Sequence, residues 1–419
     1  MSSYRIVFED AGWKNLLPLV YWRTIGELRC GRRLLIEQHL DGQPTGRWVR
    51  PDLARLAAER VPGVPVNQPI PPDAQTVLFI NSRWLADTLP ILESTEPAGV
   101  GICQGQIAWL RLTREQAASL RPEQLLAADG LNVATWTNMV GRSVPADGVM
   151  VNYPWDLVHN NVRRMLADWK LATPGIEGKV YPGVYLLDEK NIHIGPGSTI
   201  KPCTVLDAEE GPIWIGSNVR ISPHCTIQGP VVIGDGSIVQ PGAVLREGTT
   251  IGPVCKVGGE IEGSILWGYS NKQHDGFLGH ACLGAWINIA ADSVNSDLKN
   301  TYGPIRVPIN GVEVDSGRMF VGLTMGDHSK SSINSSFATG TVVGFCSNVI
   351  CSQYPPKFVP SFCWMTDSAR KPYEADKGLI VAKIVMARRK FIMTSAEEEL
   401  FLSIATTCRQ IEADPAGDL

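Results

Sequence analysis

The sequence lacks the features that define several large protein classes. Its 419 residues carry 38 lysines and arginines against 42 aspartates and glutamates, a net charge of -4, so nothing favours a nucleic-acid or acidic membrane partner. No apolar run approaches the roughly 20 residues of a membrane span, and the N-terminal MSSYRIVFED has acids where a signal peptide needs apolar residues. The ten cysteines form no CxxC pair, which argues against a disulfide framework or a zinc site and predicts a cytoplasmic protein.

Two common phosphate-binding motifs are also missing, since there is no GxxxxGK[ST] segment and no GxGxxG after the first predicted strand. The segment LLPLVYWRTIGELRCG at 16–31 offers other groups, because it brings Arg23, Glu27 and Arg29 close together. Paired arginines suit a phosphate, since each guanidinium can bind two oxygens. The same charges also suit an ordinary solvated helix start, and their spacing alone does not decide between a nucleotide site and that alternative.

A six-residue repeat organises the middle of the chain. Aliphatic residues recur at intervals of six between 215 and 257, and a small or slim residue follows four positions after each of the first seven. This period fits neither a helix nor an alternating strand, and a β-sandwich does not hold one phase over eight steps. The repeat predicts a hexapeptide β-helix, in which three short strands make one coil around an aliphatic interior.

Glycines follow the same repeat at a longer interval. Gly216, Gly234 and Gly252 are evenly spaced at three times the six-residue period, which predicts that they stack at one corner of successive coils with positive φ. The six-residue phase begins with Ile194 and slips after Val257. It is expected to resume at Phe277, Leu283 and Ile289, and more loosely at Met319, Met325, Ser331, Phe337, Val343 and Val349.

The flanking regions have different patterns. Residues 1–172 alternate short apolar strands with helical segments and predict an α/β domain, with strands at 5–8 and 76–81 and helices at 51–61, 114–127 and 155–171. Thr113 and Gln116 are spaced as a capping box for the second helix. Residues 173–183 read as a linker, 184–352 as the β-helix domain and 353–419 as a C-terminal connector and helices.

The C-terminal part is predicted in more detail. A hairpin is expected near 303–317, and the prolines of 355–364 predict an extended connector. Two helices follow at 374–390 and 395–412, the second with Ser395 and Glu398 in capping-box spacing.

Polar side chains concentrate where the repeat is irregular. The stretch 271–300 contains Lys272, His274, Asn288, Lys299 and Asn300, and GDHSK at 326–330 adds His328 and Lys330. A histidine among lysines and asparagines suits general-base deprotonation of an amine or hydroxyl, with lysines holding a phosphate. Two other interpretations remain open: ordinary solvated residues, or a metal site made by His274, His280 and His328.

The stretch HDGFLGHACLGAWINIA resembles the acetyltransferase half of the bifunctional N-acetylglucosamine-1-phosphate uridyltransferase/glucosamine-1-phosphate acetyltransferase family. The resemblance places the general base on His274 and a sugar contact on Asn288. It extends along the chain to the GlmU-like sugar nucleotidyltransferases, through LLPLxxxRxxxELRxG at 16–31, PWDL at 154–157, NKQHDGFLGH at 271–280, NSDLKN at 295–300, GDHSK at 326–330 and PPKFxPSF at 355–362.

That resemblance implies a fold and an assembly. It implies a nucleotidyltransferase-like α/β domain followed by a left-handed β-helix that forms a homotrimer. Acetyl-coenzyme A would bind between neighbouring β-helices, and magnesium is a second expected cofactor, in the nucleotidyltransferase half. The sequence departs from the family at Phe277, Gln240 and Asp292. Ser82 and Arg83 also stand where the nucleotidyltransferase fold has a magnesium-binding aspartate.

The expected function is nucleotidyl transfer from a nucleoside triphosphate to a sugar 1-phosphate, acetyl transfer from acetyl-coenzyme A to an amino-sugar phosphate, or both. In this scheme His274 removes the amine proton, while Lys272, Asn288, Lys299, Asn300, His328 and Lys330 contact the substrate. Two alternatives remain: an acyltransferase whose N-terminal domain only binds nucleotide, and a trimeric scaffold without enzymatic activity.

Overall fold

The computed structural model describes residues 2–39, 45–89 and 97–413. By its internal contacts the chain forms two compact units, which are described separately. The N-terminal unit comprises Met1–Leu16, Trp22–Leu28 and Arg33–Tyr153, and the C-terminal unit comprises Leu17–Tyr21, Arg29–Arg32 and Pro154–Leu419.

A six-stranded mixed sheet forms the centre of the N-terminal unit. Two adjacent inner strands, Ser2–Phe8 and Ala74–Asn81, contain the short apolar runs IVF and VLFI, as expected of strands buried on both faces. Phe8, Trp48 and Phe79 pack on one face of this sheet, with ring centroids 5.1 to 6.5 Å apart. The spatial order of the strands is Thr45–Trp48, Ser2–Phe8, Ala74–Asn81, Gln106–Thr113, Gly99–Cys103 and Ser143–Pro145.

Short helices connect these strands, namely Ala54–Arg60, Arg114–Ala117, Pro122–Leu126 and Val133–Val140. The predicted helix at 114–127 is therefore wrong as a single element, because Pro122 begins a new helix after a break. The capping box predicted for its start is confirmed: Thr113 Oγ1 accepts a hydrogen bond from the Gln116 N–H, and Gln116 Oε1 accepts one from the Thr113 N–H. Smaller elements complete the unit: strands Arg33–Leu34, Trp84–Leu85 and Val149–Met150, and 3-10 helices Ala11–Leu16, Ile25–Glu27, Ile36–Gln38 and Pro51–Leu53.

The C-terminal unit is a parallel β-helix with three faces, which confirms the predicted fold. Each face is a ladder of short strands from successive coils. The first face contains Lys179–Val180, Thr199–Ile200, Arg220–Ile221, Ile238–Val239, Lys256–Val257 and Asn271–Lys272, and later Lys330–Ser331, Asn348–Ile350, Cys363–Thr366 and Arg370–Pro372.

The other two faces follow the same plan. The second face contains Tyr185–Leu187, Val205–Asp207, Thr226–Gln228, Val244–Leu245, Glu260–Glu262 and Phe277–Gly279, followed by Val294–Asn295 paired with Ser336–Phe337. The third face contains Ile192–Ile194, Ile213–Ile215, Val231–Ile233, Thr249–Ile251, Ile265–Gly268, Cys282–Ala285, Thr324–Met325, Val342–Val343 and Phe358–Val359.

The predicted interior of the regular coils is confirmed. All eight aliphatic side chains are 0% exposed: Ile215, Ile221, Ile227, Ile233, Val239, Leu245, Ile251 and Val257. The small residues four positions after the first seven are buried as well: Val219, Cys225, Val231, Ser237, Ala243, Thr249 and Cys255. Burial of these ladders is the main stabilising contribution to the coils, at about 25 cal/mol per Å² of apolar surface.

The prediction for the corner glycines is right in position and wrong in cause. Gly216, Gly234 and Gly252 do not have positive φ, but a Cβ on Gly252 would lie 2.0 Å from the Trp267 carbonyl oxygen. Glycine is therefore required there because the next coil lies directly against the backbone. The left-handed corner residue comes two positions later, and even Val254 adopts it, with φ of 57°.

The register after Val257 differs from the prediction at two residues. The interior position is Leu278, which pairs with Ile261, whereas Phe277 pairs with Glu260 on the outward side. Met319 is 47% exposed and lies outside the ladder. At Phe277 the cause is a shorter coil: Val257 is paired with Lys272, 15 positions later, whereas Val239 is paired with Val257, 18 positions later.

The C-terminal stretch continues the β-helix further than predicted. Residues 355–364 were expected as a connector, but Phe358–Val359 and Cys363–Thr366 pair with earlier coils, and the prolines lie beside and between these strands. The predicted hairpin near 303–317 is confirmed as Arg306–Ile309 paired with Val312–Asp315.

The helices of this unit lie beside the coils. The C-terminal helices span Ala375–Ala387 and Ser395–Ile411. The second is capped by Thr394 with Glu397, one residue before the predicted pair, because Thr394 is the residue with the extended backbone of an N-cap. Helix Pro154–Lys170 also belongs to this unit, as do strand Arg29–Cys30 and the 3-10 helix Glu189–Asn191.

Helix Pro154–Lys170 packs on the β-helix through Asn161. Its Nδ2 donates to the Gly248 carbonyl at 2.7 Å and to Thr250 Oγ1 at 3.0 Å. The sequence assigned this helix to the 1–172 domain, and the domain limits stay a prediction.

In the described part of the chain, no helix is long and apolar enough to cross a membrane. All ten cysteines are free thiols.

Candidate functional site

A polar network lies at the carboxyl ends of two adjacent parallel strands of the N-terminal unit. Asp10 follows strand Ser2–Phe8, and Arg83 follows strand Ala74–Asn81. Arg83 binds Asp10 with two parallel hydrogen bonds, from Nε to Oδ1 at 2.7 Å and from Nη2 to Oδ2 at 2.6 Å. Asn81 Nδ2 donates to the same carboxylate at 2.8 Å. The edge of the sheet where α/β proteins bind ligands is thus occupied by a buried ion pair.

A cavity of about 250 Å³ opens beside this pair. Asp10, Gly12, Arg83, Gln106 and Asn132 are among its lining residues. Arg83 Nη2 also donates to Gln106 Oε1 at 3.0 Å, so the guanidinium forms part of the cavity wall. The volume approaches the lower end of the range found for small-molecule sites.

Asp10 is an acidic residue that lines this cavity and could in principle bind magnesium. Its surroundings do not suit a metal ligand. Both carboxylate oxygens accept hydrogen bonds from Arg83, which neutralises the charge that a hard cation needs. Asp10 would have to release Arg83 before it could bind the ion. Within residues 2–39, 45–89 and 97–413, no group of three or more His, Cys, Asp or Glu side chains is arranged to hold a metal.

The predicted phosphate-binding residues of segment 16–31 are divided between the two units. Arg23 is buried in the N-terminal unit, where its carbonyl accepts a hydrogen bond from Arg50 Nη2 at 3.0 Å. Arg29 belongs to the C-terminal unit, and its Nη1 donates to the Arg32 carbonyl at 2.6 Å. Their role at a phosphate stays a prediction.

Glu27 has a structural role. Its Oε2 accepts hydrogen bonds from the Thr24 N–H and hydroxyl, both at 2.8 Å, and so caps the 3-10 helix Ile25–Glu27. Burial alone would raise the pKa of Glu27, but the nearby Arg60 and Arg47 and the bonds from Thr24 leave it lowered. The carboxylate is therefore charged and tied to the protein's own groups.

The β-helix contains one lysine in its aliphatic interior. Lys272 takes the place in the first face that Ile221, Val239 and Val257 take in earlier coils, and it is 1% exposed. Its Nζ donates to the Gly258 carbonyl at 3.0 Å and to the His274 carbonyl at 2.5 Å. Burial lowers the pKa of Lys272 to about 8, although Asp275 and Asp292 act to raise it.

His274 lies at the corner after Lys272, and its carbonyl accepts the hydrogen bond from the Lys272 ammonium. Its side chain is exposed, and Nε2 is 3.2 Å from the Gln273 side-chain amide. Asn288 lies one coil further on, between Asn271 and Lys330 in the same face, and its Oδ1 accepts a hydrogen bond from Asn271 Nδ2 at 3.3 Å. Lys272 and His274 thus meet at one corner, with Asn288 on the neighbouring coil.

His328 and Lys330 lie on the coil after Asn288, and Lys330 is next to Asn288 in the first face. His328 is buried and stacks on Trp286, with Phe345 and Phe401 edge-on to its ring. Lys330 donates to the His328 carbonyl at 2.8 Å, and burial lowers its pKa.

Lys299 and Asn300, the last two predicted substrate-binding residues, belong to the segment after strand Val294–Asn295. Lys299 donates to the Pro304 carbonyl, and Asn300 is exposed next to it. The hydrogen bond of Lys299 therefore stays within its own segment. The roles of both residues at a substrate stay predictions.

One polar pair was missed by the sequence reasoning. His280 Nδ1 lies 2.7 Å from Asp297 Oδ2, and the His280 ring stacks on Phe320 at 5.0 Å. His159, from helix Pro154–Lys170, lies 6.2 Å from His280 and contacts the Phe320 carbonyl at 2.9 Å. The spacing of His280 and Asp297, which is that of one irregular coil, is the signal that could have found the pair.

Two family models match the sequence. A model described as sugar nucleotidyl transferase matches residues 5–177, and a bacterial transferase hexapeptide model of six repeats matches residues 212–247. The bifunctional protein GlmU of Bordetella parapertussis is 25% identical over 178 residues, covering 37% of this chain and 39% of that protein. GlmU of Methanococcus vannielii is 30% identical over 112 residues, covering 27% and 26%.

A solved structure was also found. LpxA from Acinetobacter baumannii has a TM-score of 0.26 and 12% identity, covering 57% of this chain and 94% of that one. At this score the likeness supports no conclusion about this chain.

The two matches together define a class of sequence, a sugar nucleotidyl transferase domain joined to transferase hexapeptide repeats. The chain is similar to GlmU proteins over part of its length. It spans only 39% and 26% of the length of the two GlmU relatives, so their activity and substrates apply to it only as proposals.

Proposed function

We propose that the chain is a two-part sugar-phosphate transferase that works in nucleotide-sugar synthesis. Its β-helix transfers an acetyl group from acetyl-coenzyme A to the amine of an amino-sugar phosphate. Its N-terminal domain transfers a nucleotidyl group from a nucleoside triphosphate to a sugar 1-phosphate. The matches to the two transferase models support a transferase, and the corner at Lys272 and His274 is the observation that carries the choice of acyl transfer.

The position of Lys272 is the main argument. A lysine in an aliphatic ladder destabilises the fold, because a buried ammonium loses its hydration. Sequences break such a local rule chiefly at functional sites. Here the ammonium binds the Gly258 carbonyl on the preceding coil and the carbonyl of His274, which is the exposed residue at the corner of its own coil. Lys272 therefore fixes the backbone that presents the imidazole.

The chemistry assigned to His274 is proton transfer. An amino-sugar amine attacks the thioester carbonyl of acetyl-coenzyme A, and the C–N bond forms as the C–S bond breaks. His274 accepts the amine proton and returns it to the departing coenzyme A thiolate, so that the products are the amide and the free thiol. An exposed imidazole on a rigid β corner suits this role. Asn288, on the next coil, contacts the sugar.

In the N-terminal domain two features bear on nucleotidyl transfer, a cavity and the Asp10–Arg83 ion pair beside it. The 250 Å³ cavity at the carboxyl end of its strands suits part of a nucleotide, and catalysis of nucleotidyl transfer is mainly charge neutralisation and positioning. The Asp10–Arg83 pair favours a second candidate, in which this domain binds a nucleotide or nucleotide sugar without turning it over.

The test is acetyl transfer from acetyl-coenzyme A to glucosamine 1-phosphate, measured as released thiol. We expect His274→Asn to lower kcat about 10²- to 10⁴-fold, the usual loss when a general base is removed. His224→Asn is the matched control, because His224 is an exposed corner histidine of an earlier regular coil. Equal rates in wild type and both variants would show that His274 is not the base. No transfer above background by the wild type would reject the substrate and favour the scaffold alternative.

A further inference from the structure

The outward side of the first face carries a row of polar and basic residues. Strand pairing places Arg220, Ile238, Lys256, Asn271 and Asn288 side by side on successive coils. Their neighbours Ile221, Val239, Val257 and Lys272 point into the interior, because side chains alternate along a strand. The row therefore presents two cations and two amides on one surface.

The end of the first C-terminal helix adds two more cations to this row. Arg388 and Arg389 follow helix Ala375–Ala387. Arg389 Nη2 donates to Asn271 Oδ1 at 2.6 Å, and Asn271 Nδ2 donates to Asn288 Oδ1 at 3.3 Å. These two hydrogen bonds fix the guanidinium of Arg389 over the row.

The charges of this surface are unbalanced. Burial lowers the pKa of Lys256, and Arg389, Arg388 and Arg220 each lower it further, with no carboxylate acting in the other direction. In the part of the chain that the structure describes, none of these four cations forms an ion pair with a carboxylate. On the second face, by contrast, Arg246 pairs with Glu260 at 3.3 Å and with Glu262 at 3.4 Å.

A purely structural role explains only part of this cluster. Cations near a helix C-terminus interact favourably with its dipole, and this accounts for Arg388 and Arg389. It does not account for Lys256 and Arg220 on strands, where additional like charges raise the electrostatic free energy. An anion bound among them would remove that repulsion.

We propose that Lys256, Arg388 and Arg389, with the Asn271 amide and with Arg220 at the edge, bind a phosphate group of a small-molecule substrate. Guanidinium groups suit this ligand, since each can donate two hydrogen bonds to phosphate oxygens. Asn288 continues the same row, so a ligand with its phosphate on the cations reaches the residue assigned to the sugar.

The identity of the ligand rests on the proposed function, and the phosphate site itself does not. Two phosphates fit the chemistry equally: that of an amino-sugar phosphate and the 3′-phosphate of coenzyme A. Direct binding measurements separate the site from the reaction, because they need no turnover.

The experiment is calorimetric titration of the full-length protein with inorganic phosphate, glucosamine 1-phosphate, coenzyme A and 3′-dephospho-coenzyme A. We expect Lys256→Gln and Arg389→Gln each to weaken binding of inorganic phosphate about 10-fold or more, as for loss of one charge-assisted hydrogen bond. The wild-type affinity should also fall as salt concentration rises. Arg246→Gln is the matched control and should leave the affinity unchanged, and thermal unfolding of each variant checks its fold.

The organic ligands identify the source. A loss confined to glucosamine 1-phosphate assigns the sugar phosphate, whereas a loss for coenzyme A but not for its dephospho form assigns the 3′-phosphate. Failure of the wild type to bind inorganic phosphate at millimolar concentration, or equal affinities in wild type and both variants, overturns the proposal. If these variants weaken phosphate binding while no acetyl transfer is detected, the site stands and the proposed reaction fails.

Discussion

The coils between residues 213 and 257 and those between 258 and 300 have the same three-faced backbone but different contents. In the first region every interior position of the ladder is aliphatic and 0% exposed, and the first face advances evenly from Ile221 to Val239 to Val257. In the second region the coil that follows Val257 is shorter, and its interior position on the first face is Lys272. The regular region has the continuous aliphatic interior that stabilises a β-helix. The irregular region interrupts this interior with a lysine.

The corners of the two regions differ in the same sense. In the regular region Ser237 Oγ accepts a hydrogen bond from the Cys255 N–H and donates one to the Gly252 carbonyl, which satisfies the backbone of the turn. The irregular region keeps these serine contacts, because Ser264 Oγ accepts a hydrogen bond from the Ala281 N–H and Ser270 Oγ accepts one from the Ile287 N–H. It adds ionisable groups to them, namely the Lys272 ammonium and the His280–Asp297 pair. Titratable groups added where serine already satisfies the backbone point to chemistry at those corners.

The largest expected effect comes from placing a lysine in the regular region. Ile221→Lys should lower the free energy of unfolding by about 4 kcal/mol, because the ammonium would be buried in a ladder of aliphatic side chains. The measurement is the urea midpoint of purified protein. Ile221→Met is the control, and this change of shape with little change of volume should cost less than about 1.5 kcal/mol. Equal midpoints for the two variants would mean that a lysine is tolerated anywhere in the interior.

A smaller effect distinguishes the two reasons for glycine in these coils. Gly252→Ala should cost about 3 kcal/mol, because its Cβ would lie 2.0 Å from a backbone oxygen of the next coil. Gly242→Ala should cost about 1 kcal/mol, since φ is 75° but no atom lies within 4 Å of the added Cβ. Thermal unfolding of both variants checks the order, and a larger loss for Gly242→Ala would contradict the close-packing explanation.

The β-helix could be predicted from the sequence because one physical requirement repeats. Each coil needs the same aliphatic side chains, so Ile215 to Val257 hold one phase and the interior follows residue by residue. The prediction failed at Phe277 for the same reason, since the shortened coil that ends at Lys272 moves the interior position to Leu278. The six-residue period cannot show how many residues a corner has lost.

The candidate site was less predictable, because it depends on contacts between coils. Lys272 and His274 are neighbours in sequence, so their shared corner could be expected. The pairing of His280 with Asp297, of Asp10 with Arg83, and of Arg389 with Asn271 joins residues that are 17, 73 and 118 positions apart. The spacing of His280 and Asp297, close to one coil, is the one sequence signal among these three pairs, and it can be used only once the length of the irregular coil is known.

A further prediction concerns replacement of the lysine of the irregular region, which should change stability less than Ile221→Lys or Gly252→Ala. A lysine whose pKa falls from 10.5 to about 8 on folding binds fewer protons in the folded state between those pH values, so the stability of the wild type rises as pH increases through this range. Below pH 8 the unfavourable contribution is fully present, about 3 kcal/mol at 1.36 kcal/mol per pKa unit. Lys272→Met removes this unfavourable contribution. It also loses the two hydrogen bonds to carbonyls, and this loss cancels about 1 kcal/mol of the gain in stability.

The variant should therefore be more stable than the wild type by about 2 kcal/mol at pH 7, and the difference should disappear by about pH 10. Urea midpoints at pH 7, 8, 9 and 10 measure it, with Ile221→Met as the control whose difference from the wild type does not change with pH. Because the His274 corner loses its tether, acetyl transfer should fall while stability rises. A variant that is less stable at pH 7, or equally active, would mean that Lys272 contributes to packing and not to the site.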